Sequence, residues 1–133
     1  MKNQESRTKN QEKKSEMHNF KELKVWQKSR ILVKDIYKLL ETFPNKEQLG
    51  LISQIQRAAV SIPTNIAEGS GRSGANDFNR FLEIALTSAF EVENLIILSF
   101  DLGYVTEVSF TDFSNQIIEI QKMLYGLKKH IKQ

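Results

Sequence analysis

From Phe78 to Leu102, apolar side chains recur three and four residues apart: Phe78, Phe81, Ala85, Val92, Leu95 and Leu102, with the small Ser88 and Ser99 in the same register. Leu82, Leu86, Ala89, Ile96 and Phe100 flank that line. A period near 3.6 held over this span marks one long amphipathic helix, because a strand would alternate its faces with period two. The stripe is broader than the seam between two helices needs. The segment therefore serves two neighbours in a bundle, or a bundle and a partner subunit. Ser73 is placed to cap this helix, Asp77 suits its first turn, and Gly103 stops it.

A helix of this kind needs partners, and three further segments supply them. Over residues 20–42, Leu23, Trp26, Val33, Ile36, Tyr37 and Leu40 form a stripe that Val25, Leu32 and Leu39 widen. Phe43-Pro44-Asn45 ends it, since the residue before a proline avoids the α region. A second helix starts near Lys46 with Ile52, Ile55, Ala59, Ile62 and Ile66 as its stripe. Pro63 lies inside that pattern. The period continues through it, which predicts a kinked helix rather than a stop, with Ser61 and Asn65 as candidates to satisfy the freed backbone groups. The glycines of residues 69–74 suit the end of this helix and a loop. A last helix spans residues 110–131, with Ser109 or Thr111 as its cap and Phe113, Ile117, Ile120, Leu124, Leu127 and Ile131 as its stripe. The expected fold is all-α: an antiparallel up-down-up-down four-helix bundle over residues 19–133 with a kink at Pro63. Residues 1–18 hold only Met1 and Met17 as apolar side chains and are expected to form a disordered polar tail.

Charge is unevenly placed along the 133 residues, whose formal net charge is +3. Residues 20–43 carry six cations against three anions, whereas residues 74–103 carry one cation against five anions. One helix is basic and another acidic, an asymmetry that steers partners or favours head-to-tail self-association. Cysteine is absent, which removes disulfides, thiolate metal sites and cysteine nucleophiles and is compatible with a reducing cytoplasm. The longest purely apolar run, Leu95 to Leu98, is far short of a membrane span, and the N-terminus has no apolar segment of a secretory signal. The chain is expected to be cytoplasmic, with no membrane association.

No constellation of residues points to catalysis. Gly69-Ser-Gly-Arg-Ser-Gly74 matches a dinucleotide fingerprint in letters, but a helix precedes it where that motif requires a strand. A narrower role remains for Arg72 and the loop amides, holding a phosphate beside a helix N-terminus. The two histidines, His18 and His130, have no glutamate three residues before them, so a di-metal bundle site is missing. No nucleophile elbow and no Walker loop is present. The chain is expected to be no enzyme and to carry no metal and no cofactor.

Two polar patterns are candidates for binding. Gln54, Arg57, Ser61, Asn65, Glu68 and Arg72 fall on one flank of the second helix, beside its apolar stripe, and are mostly short or amide side chains. Half-buried polar groups need partners. This flank is either a network within the monomer, with Glu91 as a partner for Arg57 or Arg72, or an interface or ligand groove. The second pattern is Lys21, Lys24, Lys28, Lys34 and Lys38 on the outer arc of the first helix, where they could meet phosphates without reading sequence. No surface aromatic interleaves these lysines, so stacking on single strands is not expected. The leading expectation is a non-enzymatic homo-oligomeric scaffold that binds RNA or DNA through Lys21, Lys24, Lys28, Lys34, Lys38 and Arg72. The alternative is a protein–protein interaction module without nucleic-acid binding.

Several stretches together resemble the bacterial four-helix-bundle proteins, also known as the ribosomal RNA intervening-sequence protein family. They are Phe20-Lys-Glu-Leu-Lys-Val-Trp-Gln27, Ile36-Tyr37, Phe43-Pro44, and above all Gln54-Ile-Gln-Arg-Ala-Ala-Val-Ser-Ile-Pro-Thr-Asn-Ile-Ala-Glu-Gly-Ser-Gly-Arg72. Phe81-Leu82, Ala85, Ser88, Glu91-Val-Glu93 and Leu102-Gly103-Tyr104 extend the likeness to most of residues 20–131. Thr87 departs from it, standing where family members often have glycine. The resemblance implies a four-helix bundle assembled as a ring-like homopentamer. It also implies kinship to accessory proteins of diversity-generating retroelements, which bind a reverse transcriptase and nucleic acid.

Overall fold

A computed structural model describes residues 19–132, of which 132 is described by its backbone alone. The expected tail, residues 1–18, lies outside the described residues. Four α-helices follow one another: α1 (Lys24–Leu40), α2 (Leu51–Ser70), α3 (Ala75–Asp101) and α4 (Glu107–Lys132), with single 3-10 turns at Phe20–Glu22 and Asn45–Glu47. There is no strand among the described residues. Each helix packs on the next and α4 closes back on α1, which is the up-down-up-down bundle. One continuous core runs through all four, with Leu32, Ile36, Ile62, Leu82, Ile117 and Leu124 fully excluded from solvent.

The first helix begins later than its apolar period suggests. Leu23 takes an extended conformation (φ −75°, ψ 122°) and separates the 3-10 turn from α1. The turn is held by the Gln27 side-chain amide, which donates to the Lys21 carbonyl at 2.8 Å, and by Phe20 packed edge-on against Trp26 with ring centroids 5.0 Å apart. Inside α1 the core line is Val25, Ser29, Leu32, Ile36 and Leu40. Ser29 is fully buried without penalty, because its hydroxyl donates to the Val25 carbonyl at 2.8 Å. Tyr37, expected in the stripe, is 42% exposed. It lies about 100° around the helix from Ile36, and Leu32 takes the inward place.

Helix α2 runs through Pro63 without interruption. A proline removes one backbone donor and costs roughly 3 kcal/mol in a helix interior. The carbonyl that loses its donor is that of Ala59, four residues back. Asn65 Nδ2 donates instead to the Ser61 carbonyl at 2.8 Å and to the Ser61 hydroxyl at 2.9 Å, not to the freed group as expected. The second helix also starts later than Lys46, since residues 45–47 form the 3-10 turn and Gly50 precedes α2. Its far end reaches Ser70, so Gly69 and Ser70 are buried parts of the helix rather than loop.

Two caps differ from expectation. Gly74, not Ser73, precedes α3, and it makes no side-chain cap. Helix α4 starts at Glu107, so Ser109 and Thr111 lie within it. Thr106 does the capping, its Oγ1 accepting from the Ser109 amide at 3.2 Å. Gly103 stops α3 as expected, with φ at +83°. The Tyr104 amide reaches back to the Ser99 carbonyl at 2.9 Å and the Gly103 amide to the Phe100 carbonyl at 3.0 Å, the paired bonds of a left-handed glycine terminus. The same end is pinned across the bundle: the Tyr104 hydroxyl donates to Glu47 Oε2 at 3.0 Å, and its ring lies 5.4 Å from that of Phe43.

Helices α2 and α3 make the most extensive contact of the bundle, and both bury small side chains, Ala58 and Ala59 on α2 and Ala85 and Ala89 on α3. At the end of their seam, a Cβ built on Gly69 would stand 2.7 Å from Phe81 Cβ and 3.0 Å from Phe78 Cδ1. Neither is the far end of a flexible side chain, so Gly69→Ala forces the helices apart. Overpacking costs about 1–3 kcal/mol, against roughly 1 kcal/mol that alanine gains over glycine in a helix. Gly69→Ala should therefore lower the urea midpoint, whereas Gly71→Ala, with no contact closer than 3.5 Å, should not. Equal midpoints for the two variants would refute the close-approach role. A second expectation concerns Asn79, 8% exposed, whose Oδ1 and Nδ2 have no hydrogen-bond partner among the described residues. Buried unmade bonds of this kind cost about 1–3 kcal/mol. Asn79→Leu should raise the thermal midpoint, and a marked fall would show that the amide is satisfied in solution.

Candidate nucleic-acid interface

Helix α1 turns its buried line inward and leaves Lys24, Lys28, Lys34 and Lys38 exposed on the outer arc, with Lys21 exposed in the preceding 3-10 turn. All five expected lysines thus face solvent along one corner of the bundle. They are not equivalent. Lys28 Nζ lies 2.9 Å from Glu119 Oε1 on α4, with the two side chains 45% and 51% exposed. An ion pair this exposed adds little stability, but it turns Lys28 toward α4 and brings a carboxylate to the edge of the basic arc. Ile31, 55% exposed, sits between Lys24, Lys28, Lys34 and Lys38 and continues into a small recess lined by Gln116, Glu119 and Ile120.

The polar flank of α2 divides into two parts. Ser61 and Asn65 are half-buried and bonded within the monomer. The Ser61 hydroxyl lies 2.8 Å from that of Ser88 on α3, and Asn65 bonds to Ser61 as described above. Gln54, Arg57 and Glu68 remain exposed on α2, and Glu91 is exposed on α3. Arg72 lies apart from the lysine arc, in the loop between α2 and α3. Its guanidinium carbon stands 4.8 Å over the ring of Phe81, and Arg80 approaches the same ring at 5.4 Å. These rings and cations sit beside the start of α3, so the loop presents positive charge at one end of the bundle.

Two surface features escape a reading of the periodicity alone. The first is a groove between α1 and α2, where Tyr37 meets Ser53, Gln56, Arg57, Val60 and Thr64. The second is an exposed apolar strip along the α3–α4 seam. An ion pair between Lys128 and Glu83, and a 2.9 Å bond from Gln121 Nε2 to Glu93 Oε1, fix the register of these two helices. Phe90 and Ile97 follow Glu83 at intervals of seven on the same face of α3. That register sets Phe90 level with Tyr125 and Ile97 level with Ile118, all four between 38% and 54% exposed. The breadth of the α3 stripe signalled surplus apolar surface; its location needed the packing of α4.

No helix among the described residues is long and apolar enough to cross a membrane, and no three or more histidine, aspartate or glutamate side chains among them are grouped as a metal site would need.

The chain matches the family described as 23S rRNA-intervening sequence protein over residues 21–126. Among solved structures it is similar to a protein of unknown function from the S23 ribosomal protein family of Bacteroides thetaiotaomicron, at 30% sequence identity and a TM-score of 0.74. That likeness covers 79% of this chain and 95% of the other. No curated protein matches. The match spans all of α1, α2 and α3 and most of α4, and on that ground the chain belongs to the 23S rRNA-intervening sequence protein family.

Proposed function

We propose that this protein is a non-enzymatic, cytoplasmic, homo-oligomeric scaffold that holds RNA or DNA through the basic corner formed by Lys21, Lys24, Lys28, Lys34 and Lys38. The observation that carries this reading is the lysine arc itself, exposed along α1 with Lys28 as the one member paired across to a neighbouring helix. Assembly is supported by the apolar strip of Phe90, Ile97, Ile118 and Tyr125, since a contiguous apolar patch of this kind marks a protein contact. Contacts between unlike faces close into rings where the rotation permits. Phosphate contacts too weak to hold alone gain from being repeated around such a ring. Arg72 adds a cation at the end of the bundle.

The same apolar strip favours the second reading, a protein-interaction module that binds another protein, a reverse transcriptase being one candidate, and makes no use of nucleic acid. The two readings separate in solution. In the first, native mass spectrometry gives a species several times 15.4 kDa, a pentamer being expected; a clean monomer at micromolar concentration would refute the assembly. Binding to RNA or DNA should be tolerant of sequence. With four lysines of a protomer on phosphates, the slope of log affinity against log salt is about −3.6, a loss on the order of a hundredfold from about 50 to 200 mM. Substituting Lys24, Lys28 and Lys38 with glutamate should abolish binding and leave helicity and mass unchanged. Absence of binding by the unmodified protein at low salt supports the second reading. Binding that survives the triple substitution moves the site to Arg57 and Arg72.

A further inference from the structure

We infer that the groove between α1 and α2 is a stacking site for single-stranded nucleic acid, with Tyr37 as the platform for an unpaired base. This rests on the nucleic-acid-binding reading above and assigns to it a surface that the lysine arc does not include. It reverses the expectation that no surface aromatic accompanies the lysines, because Tyr37 is exposed next to Lys38.

Tyr37 is the exposed aromatic residue of α1, at 42%, and Ser53, Gln56, Arg57, Val60 and Thr64 of α2 lie across the groove from it. A half-exposed aromatic ring among short hydroxyl and amide side chains suits a base. The ring gives a π face that any base can use, and the hydroxyls and amides give donors and acceptors to its edge. None of the residues lining the groove is acidic, and the single ionised one is Arg57. On the α1 side Lys34 and Lys38 stand one turn before Tyr37 and next to it, and both are exposed. Arg30, seven residues before Tyr37 and on the same face, has its guanidinium 5.5 Å from the ring of Trp26. The groove therefore has an aromatic wall on α1, a cation among its α2 residues, and further cations along its α1 border. The nearest carboxylates in register, Glu41 one turn beyond Tyr37 and Glu68 one turn beyond Thr64, lie toward its ends.

Single strands are selected over duplex for a geometric reason. In a duplex the base faces are stacked on one another and out of reach, whereas unpaired bases can be laid on an aromatic side chain. Arg30 and Tyr37 are about 10 Å apart along the helix axis, which is close to three stacked nucleotides at about 3.4 Å each. A short run of nucleotides can thus place phosphates toward Arg30 and Lys34 while one base covers Tyr37.

The test uses the full chain and a labelled single-stranded oligo(U) of about 20 nucleotides, the matching oligo(dT), and a duplex of equal length, read by fluorescence anisotropy at several salt concentrations. Loss of one stacked base weakens binding by about tenfold to a hundredfold. Tyr37→Ala should show this loss on the single strands, with duplex binding unchanged. Tyr37→Phe, which keeps the ring, should stay within twofold of the unmodified protein. The salt slope should be the same for all three proteins, because stacking releases no counterions, whereas glutamate at Lys24 and Lys38 flattens it. Tyr37 is not a member of the buried core cluster, and unchanged circular dichroism and native mass show that fold and assembly persist in Tyr37→Ala. If the unmodified protein binds and Tyr37→Ala binds equally well, the platform is refuted and the lysine reading stands. Equal losses on single strand and duplex, or an equal loss in Tyr37→Phe, also refute stacking. If the unmodified protein binds none of the three probes, the nucleic-acid reading itself falls, and this inference with it.

Discussion

The fold depends on how closely α2 and α3 approach. The two helices bury four alanines between them and the rest of the core, and Gly69 closes the end of their seam against Phe78 and Phe81 with no space for a methyl group. Small side chains let two backbones come near enough for dense packing, and dense packing replaces the area that larger side chains would bury. The close approach also decides the fate of polar groups beside the seam. It brings the Ser61 and Ser88 hydroxyls to 2.8 Å, and Asn65 completes the set by bonding to Ser61. The proline, which breaks most helices, is accommodated here where neighbouring helices hold the chain on both sides of it.

The pairing of α3 with α4 is different in kind. One end of it is marked by ring stacking, Phe100 and Phe110 lying 4.5 Å apart with their planes 19° from parallel, and its outer edge is set by the Lys128–Glu83 and Gln121–Glu93 contacts. These polar contacts lie at the rim of an exposed apolar strip and fix the relative level of the two helices. The strip is thus a rigid surface with defined spacing. A surface of that type suits recognition by another folded protein, because little order has to be gained on binding.

The bundle was legible in the sequence because its signal is repetitive. Each stripe repeats its message over many turns, and α2 and α3 hold nearly every residue assigned to their cores, Leu102 being an exception at 57% exposure. Ends are set by single interactions and were read less well. Ser73 resembles a cap by residue type, yet the chain places Gly74 there, and Thr106 caps α4 seven residues before Phe113, the first residue of its stripe. The lysine arc was legible because exposed charge opposite an apolar stripe follows from helical geometry. Tyr37 was not, since its spacing fits the widened stripe and only the burial of Leu32 and Ile36 turns it outward. The polar flank was legible as unusual, but its division into a bonded half and an exposed half depends on where Ser88 arrives from α3.

The placement of charge also bears on what the surfaces can do. In a bundle with each helix beside the next, α1 and α3 occupy opposite corners. Neighbouring axes stand about 8–10 Å apart, so the diagonal is longer still, and both charged arcs point away from the centre. Their separation exceeds the Debye length of about 8 Å at physiological salt, so the basic and acidic arcs do not neutralise one another within a protomer. The cross-helix ion pairs seen among the described residues join adjacent helices instead, Lys28 with Glu119 and Lys128 with Glu83. The remaining lysines of α1 and the exposed Glu91 and Asp101 of α3 keep their fields for partners. A basic corner and an acidic corner on one rigid body attract unlike faces of other copies and repel like ones. In the proposed assembly, such charges would favour face-to-back contacts over two-fold pairing of either corner, the kind of contact that can close into a ring.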